Sequence, residues 1–127
     1  MIQGNINFSF PANREHGIFL RMAVSGAAAA YDLPLDMLED LRAASDEALD
    51  YLLANEKRAD ALVLCDLYHT EDAVTMHMRV NGRSGLPVES PAGDMTRAIL
   101  GTLMNDVMLF ADQTGGTGVR MTLRRVK

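Results

Sequence analysis

The hydrophobic pattern changes period several times along the chain, and each change marks an element. Residues 5–10, NINFSF, alternate with period two, so that Ile6, Phe8 and Phe10 share one face before Pro11 ends the run, as in a strand. From Asn13, a residue type suited to an N-cap, to Tyr31 the spacing turns helical. Ile18, Met22, Ser25 and Ala29, with Phe19 and Ala23 beside them, form an apolar side rich in small residues and are the predicted packing face. Leu33-Pro34 breaks this helix, because proline disfavours helical geometry in the residue before it, and a second helix opens at Pro34 or Asp36. Its stripe of Leu38, Leu41, Ser45, Ala48 and Leu52, widened by Leu49 and Leu53, predicts packing on a sheet and an end near residues 55–58.

The second half reads as follows. Residues 61–68, ALVLCDLY, and 73–80, AVTMHMRV, are strand-like runs joined by the polar His69-Thr70-Glu71-Asp72, a predicted hairpin. Val74, Met76, Met78 and Val80 fall on one side of the second run, Thr75, His77 and Arg79 on the other. Residues 81–94 gather glycine, proline, serine and asparagine into a predicted long loop. Met95–Phe110 predicts a third helix through Ile99, Leu100, Leu103, Met104 and Val107. QTGGTG then turns into a last strand, with Val119, Met121 and Leu123 inward and Arg120, Thr122 and Arg124 outward. The expectation is a single domain over residues 1–127. It is an α/β two-layer sandwich, with a mixed, mostly antiparallel four-stranded sheet and three helices on one face.

Composition narrows the function classes. A chain of 127 residues that is 48% hydrophobic and 23% charged suits a globular core without disulfides. A net charge of -5 argues against direct nucleic-acid binding, which needs a basic face to neutralise phosphates, and the basic end RRVK reads as a solvated terminus. The single cysteine, Cys65, lies in an apolar run, where a thiol behaves as a small hydrophobe. The N-terminus lacks a signal-peptide pattern, and no apolar run reaches the roughly 18 residues of a membrane span, so the expected setting is cytoplasmic, without membrane contact.

Few residues form a chemical constellation. His16, His69 and His77 lack metal-ligand spacing with one another or with Cys65, and the nine methionines read as core filler. No GxxxxGK[ST] phosphate loop or G-x-S-x-G elbow occurs. What stands out is residues 45–51, SDEALDY, in which Glu47 and Tyr51 lie one helical turn apart beside the acidic line Asp46 and Asp50.

Two long strings carry a family resemblance. PANREHGIFLRMAVSGAAAAYDLPLDMLEDLRAASDEALDYLLANE and ILGTLMNDVMLFADQTGGTGVRMTLRRV resemble the bacterial anti-sigma factors with serine-kinase activity, members of the GHKL superfamily with its Bergerat fold. The resemblance runs from about Phe8 to Val126. Such kinases carry a motif close to S-E-A-V-T-N, whose glutamate acts as general base and whose asparagine ligates the magnesium of Mg·ATP. Here Glu47 takes the base position, and Tyr51, a poor magnesium ligand, takes the asparagine position. In the adenine motif D-x-G, aligning Gly82 puts Val80 at the aspartate, and an offset alignment puts Asn81 there. At the phosphate-binding G-L-G-L start of the last helix stand Asp94-Met95-Thr96-Arg97, preceded by Gly93.

The resemblance therefore implies a degenerate nucleotide site made of Tyr51, Val80, Asn81, Gly82, Gly93, Asp94 and Thr96, with no metal, no cofactor and a pseudo-kinase character. The alternative is a divergent serine kinase that binds Mg·ATP or ADP, uses Glu47 as base, and finds a substitute magnesium ligand in Asn55, Asp46 or Asp50. Phe19-x-Arg21 matches an arginine with which such kinases touch partners. That implies partner switching with a sigma factor or an anti-anti-sigma-like protein, by a homodimer.

Overall fold

The computed structural model describes residues 3–54, 56, 58–81, 89–111 and 116–125. Its elements are β1 (Gln3–Pro11), a 3-10 turn (Arg14–His16), α1 (Gly17–Ala30), α2 (Leu35–Leu53), β2 (Leu62–His69), β3 (Ala73–Val80), α3 (Pro91–Leu103), β4 (Asp106–Ala111) and β5 (Thr117–Arg124). The strands form one sheet in the order β1-β2-β3-β5-β4, with every neighbouring pair antiparallel. The α/β two-layer expectation holds, with one more strand than the pattern predicts.

That strand comes from the expected third helix. The helical period ends at Leu103, where Met104 turns extended at φ -120° and ψ 156°. Asn105 then locks onto β5: its N–H donates to the Thr122 carbonyl at 2.9 Å, and its carboxamide oxygen accepts from the Arg124 N–H at 2.7 Å. The following Val-Met-Leu-Phe is compatible with helix or strand, and ladder pairing with β5 decides for strand.

The core lies between the helices and one face of the sheet. Val63, Cys65 and Leu67 of β2, Val74, Met76, Met78 and Val80 of β3, Leu109 of β4, and Val119, Met121 and Leu123 of β5 all point into it. Opposite them α2 buries Leu41, Ala44, Ser45, Ala48 and Leu52, all fully enclosed. Ser45 is tolerated there because its hydroxyl donates back to the Arg42 carbonyl at 2.9 Å. Burial pushes the Cys65 thiol up to about 12, which leaves it inert.

Helix α1 sits the other way round from the expectation. Gly17, Leu20, Val24, Ala27 and Ala28 face the core, whereas Ile18, Phe19 and Met22 are exposed at 55%, 51% and 64%, as are Ser25 and Ala29. The helix is apolar on nearly every side, so period alone cannot choose the buried one. The end of α1 is fixed by Tyr31, whose hydroxyl donates to the Leu67 carbonyl at 3.1 Å and to the carbonyl of Gly4. Gly4 adopts φ +58° at an irregularity in the β1–β2 register, where any Cβ would run into the Tyr31 ring. The basic end is likewise not free. Arg125 donates to the Tyr31 carbonyl at 2.5 Å and to that of Asp32 at 3.4 Å, a cation at a helix C-terminus, and Arg124 pairs with Asp106 at 2.9 Å.

The far face of the sheet carries His77 stacked on Phe110, with ring centroids 5.0 Å apart, and Gly118 lies directly beneath that phenyl ring. Gly118→Ala should therefore lower stability by about 1–3 kcal/mol through overpacking, and the same change in a Phe110→Ala background should be close to neutral. Urea unfolding of the four variants checks this; an undiminished cost in the double variant would locate the strain elsewhere. Partial burial lowers the His77 pKa against the opposing pull of Asp66, with Arg79 and Arg120 adding to the lowering. The unfolded chain then binds the extra proton, so stability should decline as pH falls through about 6.5, and His77→Gln should flatten that decline.

Candidate functional site

Chain connectivity gathers the residues singled out from the sequence. Helix α2 leads into β2, β3 ends beside the start of β2 where Arg58 donates to the Asn81 carbonyl, and Arg97 on α3 is near enough for its charge to act on the Tyr51 phenol, so these elements meet near one end of the sandwich. Glu47 and Tyr51 come from the later half of α2, Val80 and Asn81 from the end of β3, and Gly93, Asp94 and Thr96 from the first turns of α3. Gly82 and Asn55 lie outside the described residues.

Glu47 is half-buried, and its carboxyl is held above the ordinary range by burial first and by the charge of Asp50 second. A raised proton affinity suits a general base. Tyr51, one turn on, is only 3% exposed, and among the described residues its hydroxyl finds no hydrogen-bond partner. Burial raises the phenol pKa, partly offset by the positive charge of Arg97, which places the start of α3 near the ring. A neutral, buried phenol offers nothing that would bind magnesium.

Val80 is 1% exposed, pairs with Val63, and contributes to the core instead of a polar pocket. Asn81 is already committed. Its carboxamide oxygen accepts from the Leu62 N–H at 2.7 Å, its own N–H donates to the Leu62 carbonyl at 3.0 Å, and its carbonyl accepts from Arg58. Arg58 is steadied by the enclosed carboxylate of Glu56 through contacts of 3.1 and 3.2 Å. So Val80 offers no side-chain acceptor, and the Asn81 carboxamide oxygen is already engaged by the Leu62 N–H.

The N-terminus of α3 is likewise occupied by the chain itself. Ser90 Oγ accepts from the Gly93 N–H at 3.1 Å, Pro91 needs no hydrogen bond, and the Asp94 N–H goes to the Ser90 carbonyl at 2.9 Å. Asp94 lies in the first turn, where a negative charge is favoured, and with Glu89 it holds Arg97 at 3.3 and 3.2 Å. Thr96 is buried at 4%. Ser90 and Arg97 were not among the candidates, although Ser-Pro opening a periodic segment is a helix-start signature that could have pointed to the first. Asp46 and Asp50, considered as substitute metal ligands, are both drawn into ion pairs, with Arg21 at 3.3 Å and with Arg14. Among the described residues no group of three or more His, Cys, Asp or Glu could hold a metal ion.

The partner-facing candidates lie apart from this end. Phe19 is half exposed, stacks on His16 at 5.7 Å, and lines an apolar groove of about 410 Å³ with Ile6, Phe8, Phe10 and Ala23. Arg21 borders a different cleft, between α1 and α2.

The architecture has a counterpart among solved structures. It superposes on the crystal structure of the RsbU and RsbW domains of Rv1364c from Mycobacterium tuberculosis with a TM-score of 0.72 at 14% identity, over 96% of this chain and 32% of that one, so it spans about a third of that protein's length. No family model matches. In sequence the chain is similar to the anti-sigma F factors of Clostridium botulinum strains Alaska E43 and Eklund 17B, each 24% identical over 136 aligned positions that cover 95% of this chain and 94% of the relative. The likeness to anti-sigma F factors thus extends over 95% of the chain.

The orphaned phenol makes a direct prediction. Tyr51→Phe removes a buried hydroxyl that has no partner among the described residues and should raise stability by about 1 kcal/mol in denaturant unfolding, whereas Asn81→Ala, which strips the exposed Leu62 N–H of its acceptor, should lower it by about 0.5–1.5 kcal/mol. A destabilised Tyr51→Phe would mean that the hydroxyl has a partner after all.

Proposed function

We propose that the chain is a cytoplasmic anti-sigma-type regulator that works by protein contact, with its nucleotide chemistry lost. The observation that carries this reading is Tyr51, buried and, among the described residues, without a hydrogen-bond partner, in the position where a magnesium ligand would be needed. The committed carboxamide of Asn81 and the self-capped start of α3 support it. The anti-sigma F factors it resembles point to a sigma factor or an antagonist of the anti-anti-sigma kind as partner, with Arg21 and Phe19 in the contact.

The working unit is a homodimer. The groove along edge strand β1 is lined by the apolar Ile6, Phe8 and Phe10, and a second copy of the chain would cover it, leaving the outer side of α1 to the partner. One feature favours the alternative of a divergent serine kinase, namely that the partial burial of Glu47 poises it as a base.

Titration calorimetry with Mg·ATP and Mg·ADP separates the two. No binding up to millimolar nucleotide by the folded protein is expected; micromolar binding would overturn the pseudo-kinase reading in favour of the kinase. A pairwise interaction screen against the sigma factors and anti-anti-sigma-like proteins of the same genome should return a partner whose binding is indifferent to Glu47→Gln. Sedimentation should find a dimer that Phe8→Glu, in the groove along β1, dissociates.

A further inference from the structure

Two ion pairs tie the start of α1 to the middle of α2 on the outer side of the sandwich. Arg14 pairs with Asp50, Arg21 Nε with Asp46 Oδ1 at 3.3 Å, and together with Gly17 and Leu49 they line a cleft of about 270 Å³. The two aspartates are one helical turn apart on α2, and the two arginines are two turns apart along α1 and the 3-10 turn before it, as antiparallel neighbours require. Both partners of the second pair are near half exposed, at 59% for Arg21 and 47% for Asp46. An ion pair this wet does little for the stability of the fold.

Its geometry does more for orientation. A guanidinium carries five N–H donors in one plane, and the recorded contact uses the Nε edge. The two terminal nitrogens, which make up the fork that matches a carboxylate bidentately, make no hydrogen bond to any described residue. A free arginine side chain spreads over many rotamers, and a contact at Nε removes part of that freedom before any partner arrives. Ile18 and Met22, one turn before and one residue after Arg21 on the exposed side of α1, form an apolar shoulder next to the fork.

The geometry points to Asp46 as the positioning residue for Arg21: it holds the Nε edge so that the terminal fork is presented to a carboxylate on the protein partner, carried by an acidic side chain within an apolar segment that packs over Ile18 and Met22. This rests on the reading that Arg21 faces a partner. Asp46 thereby acts in recognition, not as a metal ligand.

The test measures the affinity of the sigma-type partner returned by the genome screen, by calorimetry, together with the thermal midpoint of each variant. Arg21→Ala and Arg21→Lys should each weaken binding about tenfold or more, the lysine because an ammonium has no fork. Asp46→Asn should weaken it about three- to fivefold, and Asp46→Glu should restore most of the loss, with midpoints unchanged throughout. The exchanged pair Arg21→Asp with Asp46→Arg regains an ion pair but moves the cation to α2, so it should bind as poorly as Arg21→Ala. Wild-type or tighter affinity in Asp46→Asn, with Arg21→Ala still weak, overturns the positioning role and leaves Arg21 in the interface. Recovered affinity in the exchanged pair reduces the contact to a structural tie and overturns it as well. Wild-type affinity in Arg21→Ala, or no sigma-type partner at all, removes the underlying reading itself.

Discussion

The structure depends on how closely α2 sits on the sheet. Ala44, Ser45 and Ala48 line its buried side with almost no side-chain bulk, so the helix can approach β3 and β5 while Leu41 and Leu52 fill the space on either side against Met76, Met78 and Met121. A larger residue at Ala44 or Ala48 would lift the helix off the sheet and open the core along its length. Both other helices take their seats from α2: α1 packs against one flank, with Gly17 leaving room for Leu49 that a Cβ would crowd, and α3 packs against the other.

The same close approach shapes the end of the sandwich where α2 and β3 finish. With α2 held down, Tyr51 is carried into the interior beside α3, and Val80 at the end of β3 becomes core. Burying a phenol without a partner for its hydroxyl is unfavourable by about 1–3 kcal/mol, so the ring must contribute more in packing than the hydroxyl takes away. The ion pairs on the outer side of α2 face the opposite way, toward water. One helix thus presents an apolar side to the core and a charged side to the surroundings.

Much of this was legible from residue patterns, and the failures have identifiable causes. Alternation in AVTMHMRV gave the inward set of β3 correctly, because only one face of the sheet is covered and the polar partners have nowhere else to go. The stripe of α2 was legible for the same reason, since its outer face is acidic. Helix α1 was not: with Ile18 and Met22 on one side and Leu20 and Val24 on the other, both sides satisfy the helical period, and the exposed one makes sense only if something else covers it. Strand β4 was missed because its pairing with β5 is a tertiary fact that VMLFA does not encode locally. At the site, Glu47 and Tyr51 could be placed by motif, but the commitment of Asn81 to Leu62, and of Asp46 to Arg21, depends on partners 19 and 25 residues away.

The start of α3 bears most directly on whether phosphates could still be held. A helix N-terminus attracts an anion through its unpaired N–H groups and the positive end of its dipole, worth about 0.3–1 kcal/mol at an exposed site. Here the Gly93 N–H is satisfied by Ser90, the N1 position is a proline with no N–H to offer, and Asp94 already places a negative charge in the first turn. A triphosphate would have to displace the cap and would meet the Asp94 carboxylate, while Arg97, the cation at hand, is shared between Glu89 and Asp94. With no magnesium ligand at Tyr51 to offset that repulsion, the helix's affinity for anions is satisfied from within. The Asp94 carboxylate thus supplies at the helix start the negative charge that an external anion would otherwise bring.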